Sequence, residues 1–339
     1  MANKKKRRKL TASAIVAIVI FSVAAVIVIA LLIVNAFIPV RYLSAYTVSS
    51  VKNRQGQLKV TYIDVGFGDS TLLELPDGKV ALIDGGDGAY PNQLKLLKTL
   101  NEHGVDYIDY LICSSVKKEH CGGLTEILQF KGVGCAFIPY CNNERITDEY
   151  HVFTSTLKAK NIPTKIANVS EGFDGENYFF TFLSPSIYLN PNSEYTALNT
   201  NPDKKNIDNA SAICWLECFN KKFVFCSDVR SGALERVIAD YKLQEEQGNV
   251  YCPYNGNSVV LKDCTVTTVA AHGGENNVCT EWYNLLTPEY AVVSVGLNYG
   301  GYPSAFALSD PTGVGAEVFL TSESGNVQFS VTQQGLTHN

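Results

Sequence analysis

Leu111-Ile-Cys-Ser-Ser-Val-Lys-Lys-Glu-His-Cys-Gly-Gly-Leu124 is the stretch from which the rest of the chain is read. Its opening residues finish an apolar run, Tyr107–Cys113, that predicts a strand. Gly122-Gly123 then turns the chain into a helix beginning near Leu124. The loop between them, 114–123, carries Ser114, Ser115, Lys117, Lys118, Glu119, His120 and Cys121. Two upstream segments belong with it, Thr61-Tyr-Ile-Asp-Val-Gly-Phe-Gly-Asp-Ser70 and Val80-Ala-Leu-Ile-Asp-Gly-Gly86. Glycines in both allow tight backbone approach, and Asp64, Asp69 and Asp84 can organise the loops by bonding to nearby amides.

Working outward, Leu58-Lys-Val-Thr-Tyr-Ile63 and Ser70-Thr-Leu-Leu-Glu-Leu75 read as strands. Pro76-Asp-Gly-Lys79 turns into a third strand at Val80–Ile83. Leu94, Leu97 and Leu100 share a helical face that Gly104 ends. Residues 142–212 read softer, with a strand at Tyr178–Ser184 and a polar insertion at 190–209 expected as a mobile surface loop. Ala212–Phe219 and Lys222–Cys226 read as a hairpin around Asn220-Lys221, with a helix at Gly232–Tyr241. Thr265–Ala270 reads as a strand, Glu281–Leu286 as a short helix and Ala291–Val295 as a strand. Glu317–Thr321 with Val327–Val331 reads as a final pair. Strands in two blocks, each followed by helices, suit two packed sheets with helices outside.

The three quoted segments together resemble the start of a metallo-β-lactamase-fold domain, specifically the branch found in ComEC-type DNA-uptake proteins. That branch reads DVGxGD, then LIDGG, then T-H-x-H-x-D-H-x-G-G-L. Here the third motif has become Ser114-Ser115-Val116-Lys117-Lys118-Glu119-His120-Cys121-Gly122-Gly123. Later motifs correspond too. The family's Gly-Asp becomes Ser227-Asp228, its His-His-Gly-Ser becomes Ala271-His272-Gly273-Gly274, and its Tyr-Gly-His-Pro-His becomes Gly300-Gly301-Tyr302-Pro303-Ser304. Asn209-Ala210-Ser211 matches its Asn-x-Ser. The resemblance covers residues 58–331 and implies an α/β (α+β) fold, a four-layer αββα metallo-β-lactamase-like sandwich.

In such hydrolases two cations lower the pKa of a shared water and polarise a substrate oxygen. By the resemblance, Ser115 and Lys117 hold the places of the first metal's histidines. A hydroxyl is a poor zinc ligand and an ammonium is none, so a dinuclear site is not expected. Tyr302 and Ser304 likewise stand at degenerate ligand positions. Glu119, His120, Asp228 and His272 remain for a single zinc or manganese ion, with Asp64, Asp69 and Asp228 as catalytic carboxylates. The rival is a metal-free cluster in which Lys117 neutralises Asp228 and Asp64 or Asp69. His103 reads as a cation at a helix C-terminus, whereas His151 and His338 have no partners in the pattern.

The ends of the chain carry a separate message. Lys4-Lys5-Lys6-Arg7-Arg8-Lys9 precedes an apolar run from Ala12 to Val40. About 20 apolar residues cross a bilayer as a helix, against about 7–15 in a signal-peptide core. The expected order is a basic cytoplasmic N-terminus (1–11), a transmembrane signal anchor (12–40), a juxtamembrane linker (41–57), the main domain (58–331) and a tail (332–339). Positive charge before the helix puts the main domain outside. The chain carries 28 basic and 33 acidic residues, a net charge of −5, and removing the six basic residues at 4–9 leaves 22 − 33 = −11. That acidic balance disfavours nucleic acid, which binds mainly through Lys and Arg. Ten cysteines include no C-x-x-C pair. A domain this size does not need disulfides to bury its core, so buried free thiols are the simpler reading.

Three functions follow. The first is a membrane-anchored exterior relative with a binding or regulatory role. The second is a single-metal hydrolase of the phosphodiesterase or nuclease kind. The third is a structural ectodomain with an envelope-protein partner. Metal content, with turnover of single-stranded DNA or a simple phosphodiester in added manganese, separates the first two.

Overall fold

Alternation sets the first strand: Leu58, Val60 and Tyr62 are fully buried while Lys59 between them stays partly exposed. The computed structural model describes residues 11–37, 40–45, 55–140, 146–186, 207–275, 278–298 and 300–339. They fall into two compact units, Met1–Tyr46 and Thr47–Asn339. The first unit is a helix, α1 (Ala12–Phe37), followed by a 3-10 turn at Val40–Ala45. Among the described residues, its stretch Ala12–Asn35, of mean hydropathy 3.3, is the one segment long and apolar enough to cross a membrane.

The second unit opens with β1 (Leu58–Tyr62), β2 (Thr71–Glu74), β3 (Val80–Ile83), α2 (Tyr90–Glu102) and β4 (Tyr107–Ile112). Next come α3 (Lys118–Cys121), α4 (Leu124–Phe130), β5 (Gly132–Ile138), α5 (Asp148–Ala159) and β6 (Thr164–Ile166). The chain continues through β7 (Gly172–Gly175), β8 (Tyr178–Ser184), β9 (Ile213–Cys218), β10 (Lys221–Phe225) and α6 (Ser231–Glu246). Then follow β11 (Val266–Thr268), α7 (Thr280–Leu286), β12 (Tyr290–Val293), α8 (Ala305–Gly313) and β13 (Glu317–Leu320). It closes with α9 (Thr321–Ser324), β14 (Val327–Thr332) and β15 (Gly335–His338).

One sheet runs β15-β14-β1-β2-β3-β4-β5-β6 and the other β13-β12-β11-β10-β9-β8-β7. Each has an antiparallel part, β1–β3 or β8–β10, that continues into a parallel part, β4–β6 or β11–β13. The two halves are thus built alike, and equivalent strand ends meet at one rim. Apolar faces of both sheets make the central core, with Leu73, Ile83 and Phe329 facing Phe180, Phe182 and Phe223. Neighbouring residues point the other way: Leu72, Leu82 and Leu111 are also fully buried, as are Leu96 and Leu100 of α2 and Leu124 of α4. On the second sheet α6 and α7 bury Leu234, Ile238, Trp282 and Leu286 against Trp215 and Val224. The layers are helix, sheet, sheet, helix, the αββα sandwich expected.

Some expectations need correcting. Glu317–Leu320 and Val327–Thr332 are strands but not a pair, since β13 edges one sheet while β14 joins β1 in the other. The expected tail, 332–339, contains β15, which pairs with β14. The softer region holds α5, β6 and β7. Residues 190–206 of the insertion lie outside the described residues, and its end at Ile207–Ala210 is a 3-10 turn. Nine described cysteines are free, seven of them buried, with Cys135 partly exposed and Cys252 exposed.

Candidate metal centre

The site grows from strand ends in both halves. Asp84 follows β3, Ser114 follows β4, Ser227-Asp228 follows β10, and Ala270–Gly273 follows β11. Asp84 (φ 61°), Ser227 (φ 47°), Ala271 (φ 46°) and His272 (φ 56°) all take the left-handed conformation. Such residues cost roughly 1–3 kcal/mol each and persist where their surroundings dictate them.

The three motif loops are tied together through their backbones. Asp69 N donates to Glu119 O (3.1 Å), Gly86 N to Asp69 O (2.9 Å), Gly85 N to His120 O (2.8 Å) and Gly123 N to Gly86 O (3.2 Å). A Cβ on Gly68 would lie 2.4 Å from Glu119 O, and one on Gly123 would lie 2.1 Å from Gly85 O. Only glycine permits that approach. The glycines of these motifs therefore fix the relative positions of Asp69, Asp84, Glu119 and His120.

Two histidines come out of this frame oriented. His120 Nδ1 lies 2.8 Å from Asp84 Oδ2, and Asp84 also accepts the amide of Ser114 (2.7 Å) and its hydroxyl. His272 Nδ1 lies 2.8 Å from the carbonyl oxygen of Ser294, which can only accept, so Nδ1 carries the proton. In a neutral His272 ring, Nε2 is then left with its lone pair. The Nε2 atoms of His120 and His272 stand 3.2 and 3.4 Å from Asp228 Oδ1. None of these three buried atoms has a hydrogen-bond partner among the described residues.

That triangle fits a cation. Ligands bonded at about 2.0–2.1 Å around a tetrahedral zinc lie about 3.3–3.4 Å from one another, close to the spacing seen here. Two further groupings sit within 4.8 Å: Asp69 with His120 and His272, and Glu119 with Asp228 and His272. Imidazole nitrogens with carboxylate oxygens suit zinc or manganese. Asp84 acts behind His120, holding the ring in the way an outer carboxylate orients a ligating histidine.

The other oxygen of Asp228 already has a cation. Lys117 Nζ lies 2.7 Å from Asp228 Oδ2, 2.8 Å from Asp208 Oδ1 and 3.9 Å from Glu119 Oε1. Asp208 Oδ2 in turn accepts from Arg230 Nε at 2.6 Å. Burial works against charge throughout, but the partners override it. Asp228 and Asp208 raise Lys117, and Asp228 and Asp84 raise His120 well above the ordinary imidazole value. His120, His272 and Lys117 hold Asp228 well below the usual carboxylate range. Asp84 differs, because burial raises its carboxyl despite His120 and Ser114. Lys117 is therefore a fixed positive charge and not a base. It cannot activate Ser115, whose Oγ accepts from Ser211 Oγ at 3.0 Å.

The structure gathers Asp69, Lys117, Glu119, His120, Asp228 and His272. It leaves Asp64 out: that carboxylate accepts from Gly66 N (3.0 Å) and Lys95 Nζ (2.6 Å). The expected partner of Lys117 beside Asp228 is thus neither Asp64 nor Asp69 but Asp208. Sequence reading missed Asp208, although it adjoins the Asn209-Ala210-Ser211 match. Tyr302 packs on Phe67 (5.5 Å), which lies over His272 (4.6 Å). Ser304 caps α8 by accepting from Ala307 N. His103, at the end of α2, lies 2.7 Å from Glu74 Oε2, and His338 packs against Tyr290.

No family model and no curated protein matches the chain. Solved structures resemble it at low identity. The metallo-β-lactamase-fold protein YhfI from Bacillus subtilis is 8% identical with a TM-score of 0.48, covering 82% of this chain and 100% of that one. A diphosphatase of the PhnP family is 11% identical with a TM-score of 0.43, covering 81% and 99%. Tm1679, a metal-dependent hydrolase of the β-lactamase superfamily, is 14% identical with a TM-score of 0.46, covering 81% and 99%. The layer order described above is what the chain has in common with the metallo-β-lactamase fold.

Proposed function

We propose that the chain is a membrane-anchored, ComEC-like hydrolase of metallo-β-lactamase type whose cleft takes one divalent cation where its relatives take two. The observation that supports this reading is the divided use of Asp228. Its Oδ2 is held by an ammonium, while its Oδ1 faces two imidazole nitrogens with no hydrogen bond. His120, His272 and Asp228, with Glu119 beside them, would hold the ion. A bound zinc or manganese ion supplies a lowered pKa for water and polarisation of a substrate oxygen. Lys117 contributes positive charge on the side of the missing first metal. Asp69 lies 3.6 and 3.8 Å from the Nδ1 atoms of His120 and His272 and adds negative charge beside both rings.

A divalent cation bound there would call for an anionic ester, and the −11 balance outside residues 4–9 argues for a small phosphodiester over long nucleic acid. The basic run before α1 supports an orientation with the N-terminus in the cytoplasm and the domain outside. A second reading, binding without turnover, has one observation in its favour. Lys117 is already committed to two carboxylates, which leaves it little charge to lend a substrate. In that case the partner would be an anionic ligand or an envelope protein.

Full-length protein in detergent, assayed for bound metal and for manganese-dependent hydrolysis of bis(p-nitrophenyl) phosphate, separates the readings. Stoichiometric metal lost in His120→Ala, with slow turnover, supports the hydrolase. Metal without turnover supports the binding protein. Absence of metal leaves the Lys117 ion-pair cluster alone and sinks the single-cation site.

A further inference from the structure

Asp208 is a carboxylate gripped from both sides by cations of different elements. Lys117, in the loop after β4, takes Oδ1 at 2.8 Å, and Arg230, just before α6, takes Oδ2 at 2.6 Å. We infer that the gap between Lys117 and Arg230 is a seat for an oxyanion of the phosphoryl class, filled by the chain's own Asp208 when no ligand is bound. The choice of phosphoryl ligand rests on the function proposed above, but the seat itself does not need the metal.

Four features separate a seat from a fixed ion pair. Asp208 belongs to the single 3-10 turn Ile207–Ala210, not to a sheet. The side chains of Lys117 and Arg230 are 28% and 43% exposed, so neither is sealed in the core. Arg230 precedes a sixteen-residue helix whose first turn has no side-chain cap, an end that favours anions. Finally, Asp208 can leave without orphaning Lys117, because Asp228 stays 2.7 Å from the ammonium. A phosphoryl group offers more charge and more oxygens than a carboxylate, and charge-assisted hydrogen bonds to Lys and Arg strengthen accordingly. The seat adjoins the imidazole triangle through Asp228, so an anion placed there would hold an ester beside the cation site.

Calorimetric titration of the full chain in detergent with inorganic phosphate tests the seat, once with EDTA and once with manganese. Asp208→Asn vacates a negative charge and is expected to bind phosphate about tenfold tighter, equivalent to about 1.4 kcal/mol. Arg230→Gln, which keeps the Lys117–Asp208 pair, is expected to weaken binding about tenfold. Asp208→Asn that folds yet binds phosphate no tighter overturns the seat and leaves a structural ion pair. If Asp208→Asn does not fold, Arg230→Gln decides, and unchanged phosphate affinity overturns the proposal. Phosphate binding that follows this pattern in EDTA, in a protein that takes up no manganese, upholds the seat while refuting the single-cation site. Manganese uptake with phosphate affinity indifferent to both substitutions does the reverse.

Discussion

Lys117 Nζ meets one oxygen of Asp228 at 2.7 Å, and the imidazoles of His120 and His272 face the other. Replacing the ammonium by Lys117→Met leaves Asp208 with Arg230 alone and Asp228 with the imidazoles alone, and crowds both carboxylates and Glu119 around an uncharged side chain. Breaking a buried pair from one side costs about 3–5 kcal/mol, and the partial exposure of Lys117 puts the expected loss near the low end. Urea denaturation of metal-free protein measures it, and a loss under about 1 kcal/mol would mean the pair is no better than a surface one. The two titrating groups beside it oppose each other in pH. His120 is raised on folding, so its stabilisation is full below the ordinary imidazole value of about 6.5 and fades as pH climbs through the raised value. Asp228 is depressed, so its contribution is present above about 3.9 and is lost only in acid. EDTA-treated protein is therefore expected to be less stable at pH 9 than at pH 6. Zinc affinity should rise over the same interval, because a ligating imidazole must shed its proton. Stability that is flat or rising across that range would contradict a protonated His120. Which residues gather here was readable from motif position for Lys117, His120, Asp228 and His272. Asp64 misled because the DVGxGD motif carries two acids, and only Asp69 faces the histidines. Asp208 was hidden in a polar insertion, where an acid looks like solvent-facing chain.

At the scale of elements, the site depends on how closely the turn after β1 rests on α3. Gly68 has φ 147° and would put a Cβ 2.4 Å from the Glu119 carbonyl, the acceptor of the Asp69 amide. Gly68→Ala must push α3 and the Asp69 loop apart, moving Glu119 and Asp69 relative to the histidines without replacing a candidate ligand. Metal affinity is expected to fall at least tenfold with a thermal loss of only a few degrees, read by metal titration beside calorimetry. Unchanged affinity would show that Asp69 and Glu119 do not help hold the ion. Strands were legible where burial alternates or runs unbroken, as in β1, β2, β3 and β8. Pairing was not. Neighbouring strands in sequence usually lie together, which is why the sequence suggests a pair of Glu317–Thr321 with Val327–Val331. The chain instead crosses between sheets through α9, and β14 pairs with β1. Gly335–His338 escaped notice because only Leu336 among its residues is strongly apolar, and a polar terminal strand looks like a tail.

For the whole molecule, the proposed membrane anchor at 12–37 poses one question: on which side of a membrane the cleft would face. At about 1.5 Å per residue, 26 helical residues span about 39 Å, enough for a hydrocarbon core of about 30 Å. Orientation is carried by charge instead of length, and all six basic residues at 4–9 lie before the helix. The cysteines supply a reporter for this. Among those described, Cys252 is the exposed thiol and Cys135 is partly exposed, while Cys113, Cys121, Cys214, Cys218, Cys226, Cys264 and Cys279 are buried. Burial also pushes the Cys226 thiol up to about 12 and Cys121 up to about 11, so these react slowly as thiolates at neutral pH. In a Cys141→Ser background, a charged, membrane-impermeant maleimide added to intact cells is expected to label the protein through Cys252. Cys252→Ser should remove most of that label. Labelling that appears only after permeabilisation would put the domain in the cytoplasm and reverse the topology. Substrate access follows from the answer. On the proposed orientation the cleft would meet ions and esters at extracellular concentrations, and zinc or manganese would have to be captured from solution.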